Sequence, residues 1–213
     1  MPFDLLSRAC EYFGPFGPNA QGIINLGISS ISASSFFAVI LFVSRYYQQQ
    51  LPKDLFYWEL KDPFNLSKGW ILWTVIALDY IYVWCQFGYA SMPNEETISK
   101  QWWYELLKST NFSALCAFVC QGIIGPVVEE VLLCGFFLAS LTKWVPTPVA
   151  VGISSAVSAI VQGNPNQYII GFIVGSSYLQ TRNLLTPIAI YCLYNTVLMS
   201  YYMVYISYLL SPL

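Results

Sequence analysis

Two adjacent glutamates stand in the middle of a long apolar stretch, and their type and position make them the best candidates for chemistry. Glu129 and Glu130 lie in GPVVEEVLLCGFFLASL, and residues 112–142 contain no other charge. A charged carboxylate at the centre of a membrane helix costs about 2.5 to 3.5 kcal/mol, so such residues are candidates for function. A carboxylate at this depth could activate water as a general base or relay a proton.

The neighbours of the glutamate pair are expected to govern its protonation. Successive side chains of a helix point about 100° apart, so only one of the two carboxyls can face a given cavity squarely. Position 134 lies one turn after Glu130, where an arginine would pair with the carboxylate, but the residue there is Cys134. Desolvation and mutual repulsion are therefore expected to keep at least one carboxyl protonated, and a protonated carboxyl does not activate water.

Histidine is absent from the sequence, and its six cysteines are scattered. Without histidine the chain lacks the commonest proton shuttle and the commonest metal ligand. Cys116 and Cys120 would share a helix face, but two thiols without further ligands make a poor metal site, and core packing is their expected role. We therefore predict neither a metal nor a cofactor.

Composition indicates a membrane protein. Of the 213 residues, 56% are hydrophobic and 9% are charged, whereas roughly 25% are charged in soluble domains. The 9 basic and 11 acidic residues are scattered and give a net charge of −2, which argues against nucleic-acid binding. The expected fold is all-α and integral to the membrane, with several passes through the lipid bilayer.

About six transmembrane helices, packed in a bundle, are expected to position the glutamates. The apolar segments span residues 22–44, 69–91, 112–142, 147–162, 167–180 and 186–210. About 20 predominantly apolar residues suffice to cross the hydrocarbon core of a bilayer. Gly125-Pro126 predicts a kink in the glutamate-bearing helix, because proline interrupts the helical hydrogen-bond ladder.

The chain divides in this interpretation into an N-terminal membrane region, residues 1–111, and a helical core, residues 112–213. The N-terminal region is expected to hold two transmembrane helices, a polar loop at 45–68 and a helix at 96–109 that lies at the membrane surface. Asp79 is the single acidic residue of the second apolar segment. Its expected role is a hydrogen bond to a neighbouring helix.

The basic residues favour one orientation in the membrane. If both termini lie outside, the inside loops hold six basic residues and the outside loops hold three. The six are Arg45, Lys53, Lys61, Lys68, Lys143 and Arg182.

The residues around the glutamates resemble a known motif. GPVVEEVLLCG is similar to EExxxR followed by glycine, the first motif of the CAAX protease and bacteriocin-processing family (CPBP, or Abi) of intramembrane proteases. The family's second motif, FxxxH, would fall on residues 158–162, and its third, HxxxN, on residues 191–195. The resemblance covers about residues 112–200.

This resemblance implies an intramembrane site that has lost part of its chemistry. In active members two glutamates and two histidines form a polar pocket, where a glutamate activates water to cut a peptide bond. Glutamine does not take a proton near neutral pH, and tyrosine, with an ordinary pKa of about 10, does not replace histidine as a base. The retained catalytic positions are Glu129, Glu130 and Asn195, and the candidate binding residues are Cys134, Gln162 and Tyr191, which replace the motif's arginine and both histidines.

The leading hypothesis is a catalytically degenerate family member, a pseudoenzyme that binds a membrane protein partner. It would act as a scaffold, an assembly factor or a subunit of a membrane complex. The alternative is an active CAAX-type peptidase with a glutamate as base and Asn195 and Gln162 as oxyanion donors. A further alternative is a small transporter or proton relay built on Asp79 and the two glutamates.

Overall fold

The computed structural model describes residues 17–46, 57–86 and 103–210. Regular structure within these ranges is helical and contains no strand, which confirms the predicted all-helical class for this part of the chain. The helices are α1 (Pro18–Tyr46), α2 (Trp70–Gln86), α3 (Tyr104–Ser109), α4 (Asn111–Val119), π1 (Cys120–Ile124), α5 (Gly125–Glu130), π2 (Val131–Leu138), α6 (Ala139–Leu141), α7 (Thr147–Gln162), α8 (Gln167–Thr181) and α9 (Leu185–Leu210).

The apolar segments of the sequence coincide with helices. The last three segments match α7, α8 and α9 to within one residue at either end. The first two match α1 and α2, although residues 87–91 lie outside the described residues. By length and composition, Asn111–Leu141 and Leu185–Tyr205 are long and apolar enough to cross a membrane. The count of six transmembrane helices stays a prediction.

The predicted loop and surface helix are described in part. Residues 57–69 precede α2 without regular helix, and residues 47–56 of the predicted loop lie outside the described residues. Within the predicted surface helix, residues 104–109 are helical as α3, and residues 96–102 lie outside the described residues. Its position at the membrane surface stays a prediction.

Changes of helical winding flank the glutamates. The turns of π1 and π2 lie on either side of α5, which begins with Gly125-Pro126 and ends with Glu130. The Gly125 N–H donates to the carbonyl of Cys120, five residues earlier. Proline clashes with the carbonyl four residues before it in a regular helix, and a wider turn relieves that clash. A π-helical turn is thus present at this proline, and the predicted kink stays a prediction.

The first of two compact units includes the described residues 17–38, 103–126 and 192–210. Helix α4 begins in it with a capping box, in which the side chains of Thr110 and Ser113 each accept from the other's backbone N–H. Trp103 stacks on Tyr202 with ring centroids 5.3 Å apart. The surrounding core also contains Tyr104, Leu106, Leu107, Ala114, Ala117 and Met199. The aromatic and leucine side chains of the α3 segment are therefore buried within the protein.

The second unit includes the described residues 39–46, 57–86 and 127–191. Glycines allow α8 to approach its neighbours closely. A Cβ at Gly171 would lie 3.3 Å from the Ser155 Cα, and one at Gly175 would lie 3.3 Å from a methyl carbon of Leu138. Small residues at helix contacts are typical of membrane proteins, because they let backbones pack closely. This packing holds in place the helix ends that carry the site described next.

Candidate functional site

Glu129 contacts the carboxyl-terminal end of α7. The side-chain amide of Gln162, the last residue of α7, donates to Oε2 of Glu129 over a long distance of 3.4 Å. Gly163 ends the helix with φ of 65°, a left-handed conformation that glycine adopts without strain. The backbone N–H of Asn164 then donates to the carbonyl of Ala159 at 3.2 Å. This helix end positions the Gln162 amide beside the carboxylate.

Glu130 is almost completely buried, with 2% of its surface exposed. Its carboxyl lies in hydrogen-bonding contact with the thiol of Cys134, one turn further along the chain. Oε2 of Glu130 has no hydrogen-bond partner among the described residues. A thiol is a weak donor, so an ionised Glu130 would be a poorly compensated buried charge.

Tyr191 enters the same environment from α9. Its hydroxyl donates to Oε1 of Gln167 at 3.4 Å, lies next to the hydroxyl of Ser158, and is close enough to Glu130 to interact electrostatically. It also lies within electrostatic range of Glu129 and of the Cys134 sulfur. The second unit therefore brings together five predicted side chains: Glu129, Glu130, Cys134, Gln162 and Tyr191.

Two further residues of this site, Ser158 and Gln167, were not predicted as site residues from the sequence. Ser158 lies four residues before Gln162 on one face of α7, and helical periodicity could have found it. Gln167 begins α8 after the loop that follows α7, and no sequence signal pointed to it. Both supply polar groups near the Tyr191 hydroxyl.

Asn195 lies in the first unit. Its amide Nδ2 donates to the carbonyl of Gln121 at 3.0 Å, and Gln121 belongs to π1. The side chain thus bonds to the backbone of a π-helical turn, where a carbonyl is available outside the regular ladder. Its assignment as a catalytic position stays a prediction.

Asp79 lies on α2 with an exposed side chain. It makes no hydrogen bond to another residue in the described ranges, so the expected bond to a neighbouring helix is not found there.

Across residues 17–46, 57–86 and 103–210, no three His, Cys, Asp or Glu side chains are grouped to hold a metal ion. The candidate site contains carboxyl, amide, thiol and hydroxyl groups, which can form hydrogen bonds.

Fold and site together define a class of protein. A pair of carboxyls within an apolar helix long enough to cross a membrane, surrounded by polar side chains from neighbouring helices, is a polar site of a helical membrane protein.

The family of this helical region follows from a direct comparison. Residues 110–197 match the Rce1-like family, whose full description is "Type II CAAX prenyl endopeptidase Rce1-like". This part of the chain is similar to the CAAX protease and bacteriocin-processing family, which is membrane-embedded, and the predicted resemblance is confirmed for these residues. All the site residues described above lie inside the matched region. No curated protein and no solved structure matches the chain significantly.

Proposed function

We propose that the chain is a catalytically degenerate, multi-pass member of this family that binds a membrane protein partner. It would act as a scaffold, an assembly factor or a subunit of a membrane complex. The observation that carries the proposal is the chemistry of the groups around the glutamates. The amide of Gln162, the thiol of Cys134 and the phenol of Tyr191 are not bases near neutral pH.

Hydrolysis of a peptide bond would need an ionised glutamate and a second group that exchanges protons with the substrate. General acid–base groups contribute about 10²- to 10⁴-fold to such reactions. Gln162 can donate a hydrogen bond to Glu129 but cannot accept its proton. Glu130 has a weak thiol donor, and its Oε2 finds no hydrogen-bond partner in the described part of the chain. These neighbours support the proposal that the site is retained but has lost most of its hydrolytic activity.

An active CAAX-type peptidase is the second candidate, and one observation favours it. Glu129 is less buried than Glu130 and accepts a hydrogen bond from Gln162, an arrangement that would suit a carboxylate base next to an amide donor. The prenyl endopeptidase activity for which the family is named would then extend to this chain.

Partner binding is supported by an exposed face of α9. Tyr201 follows Val197 by about one helical turn, Val204 and Tyr205 follow Tyr201 by about one more, and all four are exposed. The rings of Tyr201 and Tyr205 stack with centroids 6.4 Å apart. Tyrosine is enriched at protein interfaces, because it combines a large apolar ring with a polar hydroxyl. We propose this face as the surface that contacts the partner.

The α9 face can be tested by purification from native membranes. We expect the tagged parent to co-purify with another membrane protein in a fixed ratio, and Tyr201→Leu/Tyr205→Leu to lose most of it. The matched control is Tyr80→Leu/Tyr82→Leu, which alters two exposed tyrosines of α2 and should keep the partner. Retention of the partner by the α9 variant, or equal loss in both variants, would argue against this surface.

A further inference from the structure

A polar cleft of about 410 Å³ lies in the second unit and shares no lining residue with the glutamate site. One wall comes from the segment that precedes α2, residues 57–68, and the other from the turn between α8 and α9, residues 181–183. Nothing in the proposed peptidase or scaffold role uses this cleft.

Hydrogen bonds hold the two walls together. Asn183 Nδ2 donates to the Glu59 carbonyl at 2.6 Å, and the Leu184 N–H donates to the Tyr57 carbonyl at 3.0 Å. Gln180 Nε2 donates to the Ser67 carbonyl at 3.2 Å. Because these bonds involve the backbone of the 57–68 segment at both of its ends, the cleft is formed before any ligand enters.

Three cations line this cleft. Lys61, Lys68 and Arg182 are exposed and form no ion pair with any residue in the described ranges. The lining also contains two acids, Glu59 and Asp62, and Glu59 accepts a hydrogen bond from the Tyr57 hydroxyl. The cleft thus has an excess of positive charge, which favours an anionic ligand with several acceptor oxygens.

Apolar side chains surround the cations along the same segment. Trp58, Leu60, Phe64 and Leu66 are exposed, with 73% of Leu60 and 85% of Leu66 accessible. Tryptophan is enriched at membrane–water interfaces, and lysine can lay its apolar stem along apolar surface while its charge reaches the headgroups. A free phosphate would gain nothing from these apolar residues, whereas a phospholipid places its acyl chains beside its headgroup.

The predicted orientation is consistent with this assignment. Lys61, Lys68 and Arg182 all belong to loops predicted inside, and the structure brings them to one cleft. Basic pockets on the cytoplasmic side of membrane proteins bind lipid phosphates in this way.

We propose that the cleft binds the phosphate headgroup of an anionic phospholipid, with Lys61, Lys68 and Arg182 as ligands of the phosphate oxygens. Trp58, Leu60, Phe64 and Leu66 lie against the adjoining acyl region. The site stands whether or not the glutamate site is degenerate, because it involves none of the same residues.

Thermal unfolding of the purified full chain in detergent tests the lipid site. We expect dioleoylphosphatidic acid to raise the Tm of the parent, and dioleoylphosphatidylcholine or inorganic phosphate to leave it unchanged. Each of Lys61→Gln, Lys68→Gln and Arg182→Gln should raise the lipid concentration that gives the same Tm increase about fivefold, and the triple variant should raise it about a hundredfold, from the usual contribution of one basic residue at an anionic surface. Arg45→Gln is the matched control, because Arg45 is exposed, carries the same charge and does not line the cleft.

Three results would overturn the proposal. An equal loss in Arg45→Gln would show general attraction between the protein and negative lipid. An equal response to phosphatidylcholine would show that the negative headgroup is not recognised. A Tm increase with inorganic phosphate alone would identify a soluble phosphate as the ligand. The Tm of each variant without lipid checks its folding, and the single variants keep the test valid if the triple variant is unstable.

Discussion

The triple variant Cys134→Arg, Gln162→His and Tyr191→His is expected to cleave a prenylated CAAX peptide about 10² to 10⁴ times faster than the parent. The reason lies in the neighbours of the glutamates. Gln162 already places its side-chain nitrogen 3.4 Å from Glu129, so an imidazole there would reach the same carboxylate. Tyr191 lies within electrostatic range of Glu130, and Cys134 contacts it directly.

The measurement is the initial rate of peptide cleavage in proteoliposomes. Adding Glu129→Gln/Glu130→Gln to the triple variant is the control, and it should remove the gained activity. Monodisperse elution in detergent would show that the triple variant is folded. A folded triple variant with no glutamate-dependent cleavage would contradict the view that the replaced side chains account for the loss of hydrolysis.

Tyr191→Ala is expected to lower the free energy of unfolding by about 3 kcal/mol, the effect of deleting a large buried aromatic ring. Tyr191 is buried, and its ring fills the space beside Ser158, Gln167 and Glu130. Tyr191→Phe should cost only about 1 kcal/mol, because it removes a hydroxyl group and keeps the ring. Denaturation in mixed micelles would measure both values.

Tyr82→Ala is the control for this prediction, because Tyr82 is an exposed tyrosine of α2. It should change stability far less than Tyr191→Ala. If Tyr191→Phe proved as costly as Tyr191→Ala, the hydrogen bonds of the hydroxyl, and not the packing of the ring, would stabilise the site.

Helix positions followed from the sequence because apolar run length determines where the chain can become helical in a membrane. The apolar segment 147–162 is followed by Gly163, whose left-handed conformation ends α7, and the helix has the predicted bounds. The cost of burying charge singled out Glu129 and Glu130. Spacing from the family motif then pointed to Gln162 and Tyr191, which the structure places beside them.

Other features depend on contacts that are distant in sequence, and pattern alone could not supply them. Glu59 and Asn183 are 124 residues apart, and their hydrogen bond joins the two walls of the polar cleft. Gln167 contacts Tyr191 only because α8 and α9 meet there. The π-helical turn before α5 depends on how the chain relieves the clash of Pro126, for which apolar periodicity carries no signal.

Cleavage by the parent chain tests the central proposal, loss of hydrolysis with retention of the site, most directly. Parent and Glu129→Gln/Glu130→Gln would be reconstituted in proteoliposomes and incubated with a prenylated CAAX peptide, and the products counted by mass spectrometry. We predict equal, background rates for both proteins, because the neighbours of the glutamates among the described residues supply an amide, a thiol and a phenol in place of a base or cation. Cleavage by the parent that disappears in the double variant would show that the chain is an active glutamate-dependent peptidase.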